Sequence, residues 1–227
     1  MATSGTAAFN PEIVEIVEEA YERCGLELRS GYDLKTARRS LDIMAAEWSN
    51  KGINLWTVES GTVALTTGTA TYTLPADTID LLETVIRTGS GSNQQDLSIN
   101  RISVSTYATI PNKNNQGRPI QIYVDRQATP KVSVWPTPDS SATYTLVYWR
   151  LRRIEDAGRA GSNTYDVPSR FIPCLVAGLA YHIATKRPEV GLDRVTFLKA
   201  AYDEQFTLAA DEDRDKSSIN FAPNITS

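Results

Sequence analysis

The chain has 227 residues, of which 41% are hydrophobic and 22% are charged, an ordinary composition for a globular protein. At this length folding buries roughly 70% of the surface of the extended chain, so a core forms without metal or disulfide crosslinks. Lys and Arg number 23 against 27 Asp and Glu, and the net charge of -4 disfavours a domain that grips nucleic acid electrostatically.

The sequence predicts neither a secretory signal nor a membrane span. Residues 1–9 contain no basic stretch followed by a long apolar one. The longest apolar run, 171–185, includes Pro173 and His182 and is shorter than the ~20 residues that a spanning helix needs. We therefore expect a soluble protein with no membrane partner.

Helical periodicity opens the chain. Pro11 favours the first turn of a helix, and apolar residues at helical spacing continue the pattern over about 11–24. A second apolar stripe, which includes Leu41 and Trp48, predicts another helix over about 33–52. The two helices are joined by a turn, and we expect Leu41 and Trp48 in the core that they form.

After Gly52 the apolar period changes from 3.6 residues to two, which is typical of β-strands. Residues 62–66 and 69–74 alternate around Thr67 and Gly68, and the pattern indicates a hairpin. A short helix is expected near 103–108. Further strands are predicted at about 81–87, 120–125, 131–135 and 142–151.

Helical spacing returns in the last third of the chain. Leu175 and Leu179 belong to an apolar stripe on an alanine-rich segment, and Leu198 belongs to a final helix over about 193–210. We expect these three leucines to share a core with the two residues of the second helix named above.

The sequence closes with a charged stretch, 211–218, which cannot bury enough apolar surface on its own to offset the entropy of ordering it. One face of an extended strand beyond it is predicted to enter a groove on a partner. The alternative is a terminus that has no partner. The apolar residues that alternate there are Ile219, Phe221, Pro223 and Ile225.

The simplest packing of these elements is an α+β fold. It consists of a four-helix bundle formed by the N- and C-terminal helical pairs, with an inserted β-rich region and an extended C-terminal arm, because a bundle covers every apolar stripe. The corresponding domains are an N-terminal helical pair at 1–52, a β-rich insertion at 53–166, a C-terminal helical pair at 167–210 and the arm at 211–227.

The sequence shows no recognisable set of residues for catalysis, metal binding or cofactor binding. His182 is the only histidine, and its neighbours one helical turn away, Gly178 and Lys186, are not metal ligands. Cys24 and Cys174 lack metal-ligand spacing and lie in apolar helical patterns, which favours buried free thiols over a disulfide. We predict no catalytic residue, no metal and no cofactor.

Two patterns support alternative functions. Five glutamates crowd the first helix, where a peptidoglycan-type hydrolase could use them, but their spacing describes a solvated face. Aromatic residues and arginines mix over 144–153, as they do where single-stranded nucleic acid stacks, but alternation within a strand favours a sheet face. A generic binding module built on the β-rich region is the other alternative.

Several sequence segments resemble the head-to-tail adaptor, or connector, proteins of short-tailed, podovirus-type bacteriophages. They occur in the same order and span most of the chain from about 10 to 216. The resembling segments are AYERCGL (20–26), ARRSL (37–41), EWSNKGINLW (47–56), GRP (117–119), YVDRQ (123–127), WPTP (135–138), YTLVYWR (144–150), VPSRFIP (167–173), GLAY (178–181), LKAAY (198–202) and DEDR (211–214).

The resemblance implies a virion structural protein, not an enzyme, that is made in the host cytoplasm and located at the head-tail junction. It implies a ring of twelve copies, with the portal protein on one side and the tail nozzle protein on the other. Genomic DNA then passes through the ring without specific binding, which suits a net negative subunit. The resemblance also implies a C-terminal extension that reaches the portal, and we expect it to bind through the four alternating apolar residues beyond 218.

Overall fold

The computed structural model describes residues 5, 9–53, 55–160 and 162–214. The chain divides into two compact units, a helical unit of Met1–Trp56 with Ile154–Ser227 and a β unit of Thr57–Arg153. Among the helices of the described residues, none combines the length and apolar character that crossing a membrane requires.

The described residues are α+β, with five α-helices and three sheets. Four of the helices belong to the helical unit and one short helix to the β unit. The helices are α1 (Ile13–Cys24), α2 (Gly31–Lys51), α3 (Val104–Ala108), α4 (Ile172–Ala184) and α5 (Leu192–Glu212).

Local chemistry determines where the first two helices begin and end. A reciprocal capping box between Glu12 and Glu15 satisfies backbone donors at the start of α1. The Ser30 side chain accepts a hydrogen bond from the backbone N–H of Asp33 and caps α2. Both helices end at a glycine with positive φ, 74° at Gly25 and 83° at Gly52, a conformation that costs glycine little.

Helix α4 lies at the centre of the helical unit and packs against α1, α2 and α5. Ten of its 13 residues are buried, so it has apolar contacts on several sides rather than along a single stripe. Gly178 allows the closest of these contacts. A Cβ atom at that position would lie 2.4 Å from Met44 Sδ and 2.8 Å from Tyr202 Cε2.

The predicted four-helix bundle is therefore wrong. A bundle needs four comparable helices that each bury one stripe in a shared seam. In this unit α4 is enclosed by the other three, whereas α5 buries only three of its 21 residues. The β-rich region is also more than an insertion projecting from a bundle, because it dominates the middle of the chain and has a core of its own.

The described part of the β unit contains ten strands: β1 (Val58–Leu65), β2 (Thr71–Thr73), β3 (Thr78–Thr88), β4 (Gln95–Ser98), β5 (Asn100–Arg101), β6 (Gln116–Gly117), β7 (Gln121–Asp125), β8 (Lys131–Trp135), β9 (Thr137–Pro138) and β10 (Tyr144–Arg152). They form two four-stranded sheets with strand orders β1-β10-β3-β4 and β2-β8-β7-β5, and a two-stranded sheet of β6 and β9. The pairs β5–β7 and β6–β9 are parallel, and the remaining pairs are antiparallel.

The predicted hairpin of 62–66 and 69–74 is wrong. The first of these segments falls in β1, which pairs with β10, and the second falls in β2, which pairs with β8 in the other four-stranded sheet. The intervening turn carries the chain between sheets. The Tyr72 hydroxyl stabilises it, because it donates to the carbonyls of Thr66 and Thr69 and accepts from the Thr66 N–H.

Both four-stranded sheets contribute to the apolar core of the β unit. Leu81 and Ile86 on β3 and Leu146 on β10 come from one sheet, and Ile122 and Val134 come from the other. The two sheets therefore pack face to face through these apolar side chains. Within the first sheet, the ring of Tyr148 on β10 lies over Gly61 on β1, since a Cβ atom at Gly61 would lie 2.6 Å from that ring.

Leu179 lies in α4 and is fully buried. We expect Leu179→Ala to lower the free energy of unfolding by about 2 to 5 kcal/mol, because the truncation leaves a cavity at the most enclosed helix. Denaturant unfolding measures the change. Leu192→Ala is the matched control, since Leu192 is 83% exposed and its truncation is expected to cost under about 0.5 kcal/mol. A loss of under about 0.5 kcal/mol for Leu179→Ala as well would contradict the central role of α4.

Candidate interaction surfaces

The single histidine lies in a packed environment. His182 is half-buried on α4 beside the rings of Tyr181 and Tyr202, and its Nε2 is 3.9 Å from Glu47 Oε2. Burial lowers the pKa of His182 despite the opposing effect of the Glu47 carboxylate. The imidazole is accordingly neutral at pH 7, and its contacts are those of a packing residue.

Both cysteines are buried free thiols. Burial raises the pKa of Cys24 to about 11 and that of Cys174 to about 12. The Cys24 Sγ also donates a hydrogen bond to the carbonyl of Ala180, at 3.1 Å. Since the thiolate is the reactive form, neither group has the properties of a nucleophile. Within the described ranges, no three His, Cys, Asp or Glu side chains are placed to hold a metal ion.

A charged cluster connects the start of α2 with the segment after α4. The Arg187 guanidinium donates to the carboxylate of Asp33 and, at 3.0 Å, to the hydroxyl of Tyr21. Hydrogen bonds from Arg187 and Ser30 hold the pKa of Asp33 below its usual range. The Asp33 side chain is only 12% exposed, so water screens this pair less than a surface ion pair.

The outer face of α2 combines positive charge with exposed apolar side chains. Lys35 and Arg39 lie on this face, together with Tyr32 and Ile43, which are 71% and 55% exposed. The four residues recur every three or four positions, opposite the buried stripe of the helix. We call these four residues the α2 face.

A groove of about 460 Å³ lies between α1 and the start of α4. Its lining is mainly apolar, and the charged side chains of Glu15, Glu19 and Arg23 stand on its α1 side. We call this feature the α1–α4 groove. The apolar residues that line it are Phe9, Pro11, Ile16, Ile172, Pro173 and Val176.

Three large apolar side chains of α5 are exposed. Leu192, Phe197 and Leu208 are 83%, 63% and 58% exposed. The buried residues of this helix are Leu198, Tyr202 and Ala209, so its apolar residues are distributed over both the inner and the outer sides. Apolar side chains exposed singly along a helix are ordinary on a protein surface, so these three do not by themselves indicate a contact with another protein.

Carboxylates compensate the arginines of β10. Arg150 donates to both carboxylate oxygens of Asp77, at 2.6 and 3.0 Å, and to Glu59 at 2.9 Å. Arg152 donates to the same Glu59, at 2.6 Å. Hydrogen bonding to Asp77 is the main reason that the pKa of Arg150 is raised. These pairs make the strand a cross-linked sheet face rather than a free basic surface for nucleic acid.

Comparison with known proteins decides between an interaction protein and the alternatives. Residues 27–226 match the SU10 adaptor protein family. The chain belongs to this family. It is therefore a phage adaptor-type structural protein and a component of the virion, and the family is one of structural adaptors rather than of enzymes. Among curated proteins, no sequence matches the chain significantly.

The structure places the sequence-predicted residues of the adaptor as follows. Leu41 and Trp48 on α2, Leu175 and Leu179 on α4, and Leu198 on α5 are all at most 3% exposed and belong to one apolar core. The indole N–H of Trp48 donates to the hydroxyl of Tyr202 at 3.0 Å inside that core. The predicted portal-binding residues Ile219, Phe221, Pro223 and Ile225 lie outside the described residues.

The α2 face and the α1–α4 groove were not predicted from the sequence. The α2 face has a sequence signal, since Tyr32 and Ile43 stand on the polar side of an amphipathic helix where apolar residues are unexpected. The groove has none, because Ile16 and Val176 become neighbours only when α1 packs against α4.

Asp33 gives the adaptor an acid-sensitive contact. We expect Asp33→Asn to lower the free energy of unfolding at pH 7 by about 1.5 to 3 kcal/mol, the range for a hydrogen bond to a charged group. The pKa of Asp33 is lower in the folded protein than in the unfolded chain. The carboxylate therefore stabilises the fold at pH values above its ordinary pKa near 3.9, and this stabilisation is lost as pH falls through the pKa of the folded state. Unfolding by denaturant at pH 7, 5 and 3 measures this dependence.

The difference in the free energy of unfolding between wild type and Asp33→Asn should stay constant from pH 7 to 5 and shrink at pH 3. Asp203→Asn, an equivalent change at an exposed position of α5, is the control and should leave the free energy of unfolding unchanged at each of the three pH values. A difference that grows as pH falls would contradict the stabilising role of the Asp33 carboxylate.

Proposed function

We propose that the chain is the head-to-tail adaptor of a short-tailed phage and that twelve copies form a ring between the portal protein and the tail nozzle protein. The observation that carries the proposal is the match of residues 27–226 to the adaptor family. In this role the ring continues the channel through which genomic DNA leaves the head.

The electrostatics of the chain support a conduit for DNA. Its net charge is -4, so the many copies in a ring repel phosphate overall instead of retaining it. Several arginines of the β unit are bound to carboxylates, as Arg87 is to Asp96 at 2.7 and 2.8 Å. A guanidinium that already binds a carboxylate has less to gain from a phosphate.

The exposed surfaces of the helical unit support the assembly. Neighbours in a closed ring meet through two different surfaces, since each copy presents one surface to the copy before it and another to the copy after it. The α2 face and the α1–α4 groove give the helical unit two chemically different surfaces for neighbours or for phage partners.

The apolar residues beyond position 218 are proposed to bind the portal. They follow the charged stretch 211–218, which begins inside α5 at 211 and 212, and so high a charge favours contact with a partner over a packed core for the residues that come after the helix. Binding of such a segment costs ordering entropy, so each copy contributes modest affinity. A ring multiplies that affinity through effective concentration.

The ring is tested by mixing the purified chain with the portal protein of the same phage. We expect cryo-electron microscopy to show twelve copies on each portal, in a ring that also binds the tail nozzle protein. The portal without the chain is the control, and it should not bind the nozzle protein. A single copy per portal, or nozzle binding that does not depend on the chain, would overturn the proposal.

Portal attachment through the C-terminal residues is tested separately. Deleting residues 217–227 should leave the unfolding transition unchanged and abolish binding to the portal in a pull-down assay. A variant with Ser at 219, 221, 223 and 225 keeps the length of the segment and should fail in the same way. If either variant binds the portal as well as the full chain does, the attachment lies in the folded units instead.

A further inference from the structure

We infer that the α2 face of one copy docks in the α1–α4 groove of the next copy, so that these two surfaces form the lateral contact of the assembly. The inference rests on the proposed ring, but it names the contact that builds it. The occupant of the groove is a second copy of this chain, and the contact is head-to-tail because the two surfaces differ.

The positive charges of the α2 face are not used within the copy that carries them. Neither Lys35 nor Arg39 forms an ion pair within the described residues, although both are exposed on a helix of 21 residues. Burial lowers the pKa of the nearby Lys186, and the positive charge of Arg39 lowers it further, so like charges gather on this side of α2. Carboxylates of a neighbouring molecule would reduce the repulsion within this positive cluster and favour the contact electrostatically.

Carboxylates outnumber basic groups on α1, beside the groove. Glu15, Glu18, Glu19 and Glu22 are all exposed on α1, where Arg23 is the one basic residue and already pairs with Glu19. Glu15, Glu19 and Arg23 stand at the groove itself, and Glu15 also accepts a hydrogen bond from the backbone N–H of Glu12. The α1 side of the groove therefore carries a net negative charge, opposite to that of the α2 face.

The apolar parts of the two surfaces match as well. Tyr32 and Ile43 project from the α2 face and remain largely in water, while the groove exposes apolar lining such as Phe9 and Pro173. Docking removes both from water, which is the main source of affinity in a protein contact. The charges around them then determine orientation and reject mismatched neighbours.

The spacing of the charges allows simultaneous pairing. Lys35 and Arg39 are one helical turn apart, about 6 Å along the axis, and so are Glu15 and Glu19. Two helices that pack side by side thus align two oppositely charged pairs at once. Each exposed pair is weak alone, but the same contact repeats around a closed assembly.

A charge-swap experiment tests the contact. The acidic variant carries Lys35→Glu and Arg39→Glu, and the basic variant carries Glu19→Lys and Glu22→Lys; Glu15 is kept because it caps α1. Each variant alone places like charges across the contact, so self-association in sedimentation velocity at low salt should fall by at least about tenfold relative to wild type.

An equimolar mixture of the two variants should restore association. In an alternating assembly every contact pairs an acidic surface with a basic one, and a ring with an even number of copies accommodates the alternation. A control with Lys131→Glu and Lys199→Glu changes the net charge as much as the acidic variant does, at exposed positions elsewhere, and should associate like wild type. A mixture that associates no better than either variant alone overturns the inference.

The apolar half of the contact has its own variant. Ile43→Ser removes an exposed side chain, so folding should be unaffected while self-association weakens by about tenfold. Unchanged association of Ile43→Ser and of both charge variants would mean that the α2 face and the α1–α4 groove do not form the contact, and this too overturns the inference.

The same variants separate this inference from the proposed function. If both charge variants form full rings on the portal, the ring is correct and the docking surfaces are wrong. If the mixture alternates in solution while wild type forms no ring on the portal, the docking surfaces are correct and the proposed ring fails.

Discussion

The close approach of three helices at Gly178 is the constraint on which the helical unit depends. No side chain separates α4 from Met44 and Tyr202, so α2 and α5 press directly on the backbone of the central helix. Met44 and Tyr202 then share the core with Trp48, whose indole N–H is satisfied by the Tyr202 hydroxyl. The inner stripes of α1 and α2 cover α4, and the outer faces of these two helices remain exposed.

Sequence periodicity predicted the helices well because each outer helix has one buried stripe. The expected segments 11–24 and 33–52 correspond to Ile13–Cys24 and Gly31–Lys51, and the short helix near 103–108 is Val104–Ala108. The packing could not be predicted in the same way. An alanine-rich helix with one leucine stripe can pack against a single helix or against three. Only the small residues around Gly178 indicate that several helices pack closely around α4.

The sequence predicted strands where apolar and polar residues alternate strongly. It did not predict which strands pair with each other. The segments 120–125 and 131–135 became β7 and β8 nearly residue for residue, and they do pair with each other. The proposed partnership of 62–66 with 69–74 failed because strand pairing depends on contacts between distant parts of the chain. The ion pair between Asp33 and Arg187 could not be predicted for the same reason, because the two residues are 154 positions apart and no local sequence pattern connects them.

The chain enters the β unit through β1 and leaves it through β10, and these two strands are hydrogen-bonded neighbours. Val58 lies opposite Leu151 in their antiparallel register, so the two ends of the unit are held about 5 Å apart by its own backbone. The strand pairing inside the β unit therefore offsets the entropy cost of closing the long connection between α2 and α4. The helices pack as if a short connection joined them. A module with adjoining ends is exchangeable. Evolution can enlarge, replace or shorten the β unit between these two strands while the packing around Gly178 stays as it is.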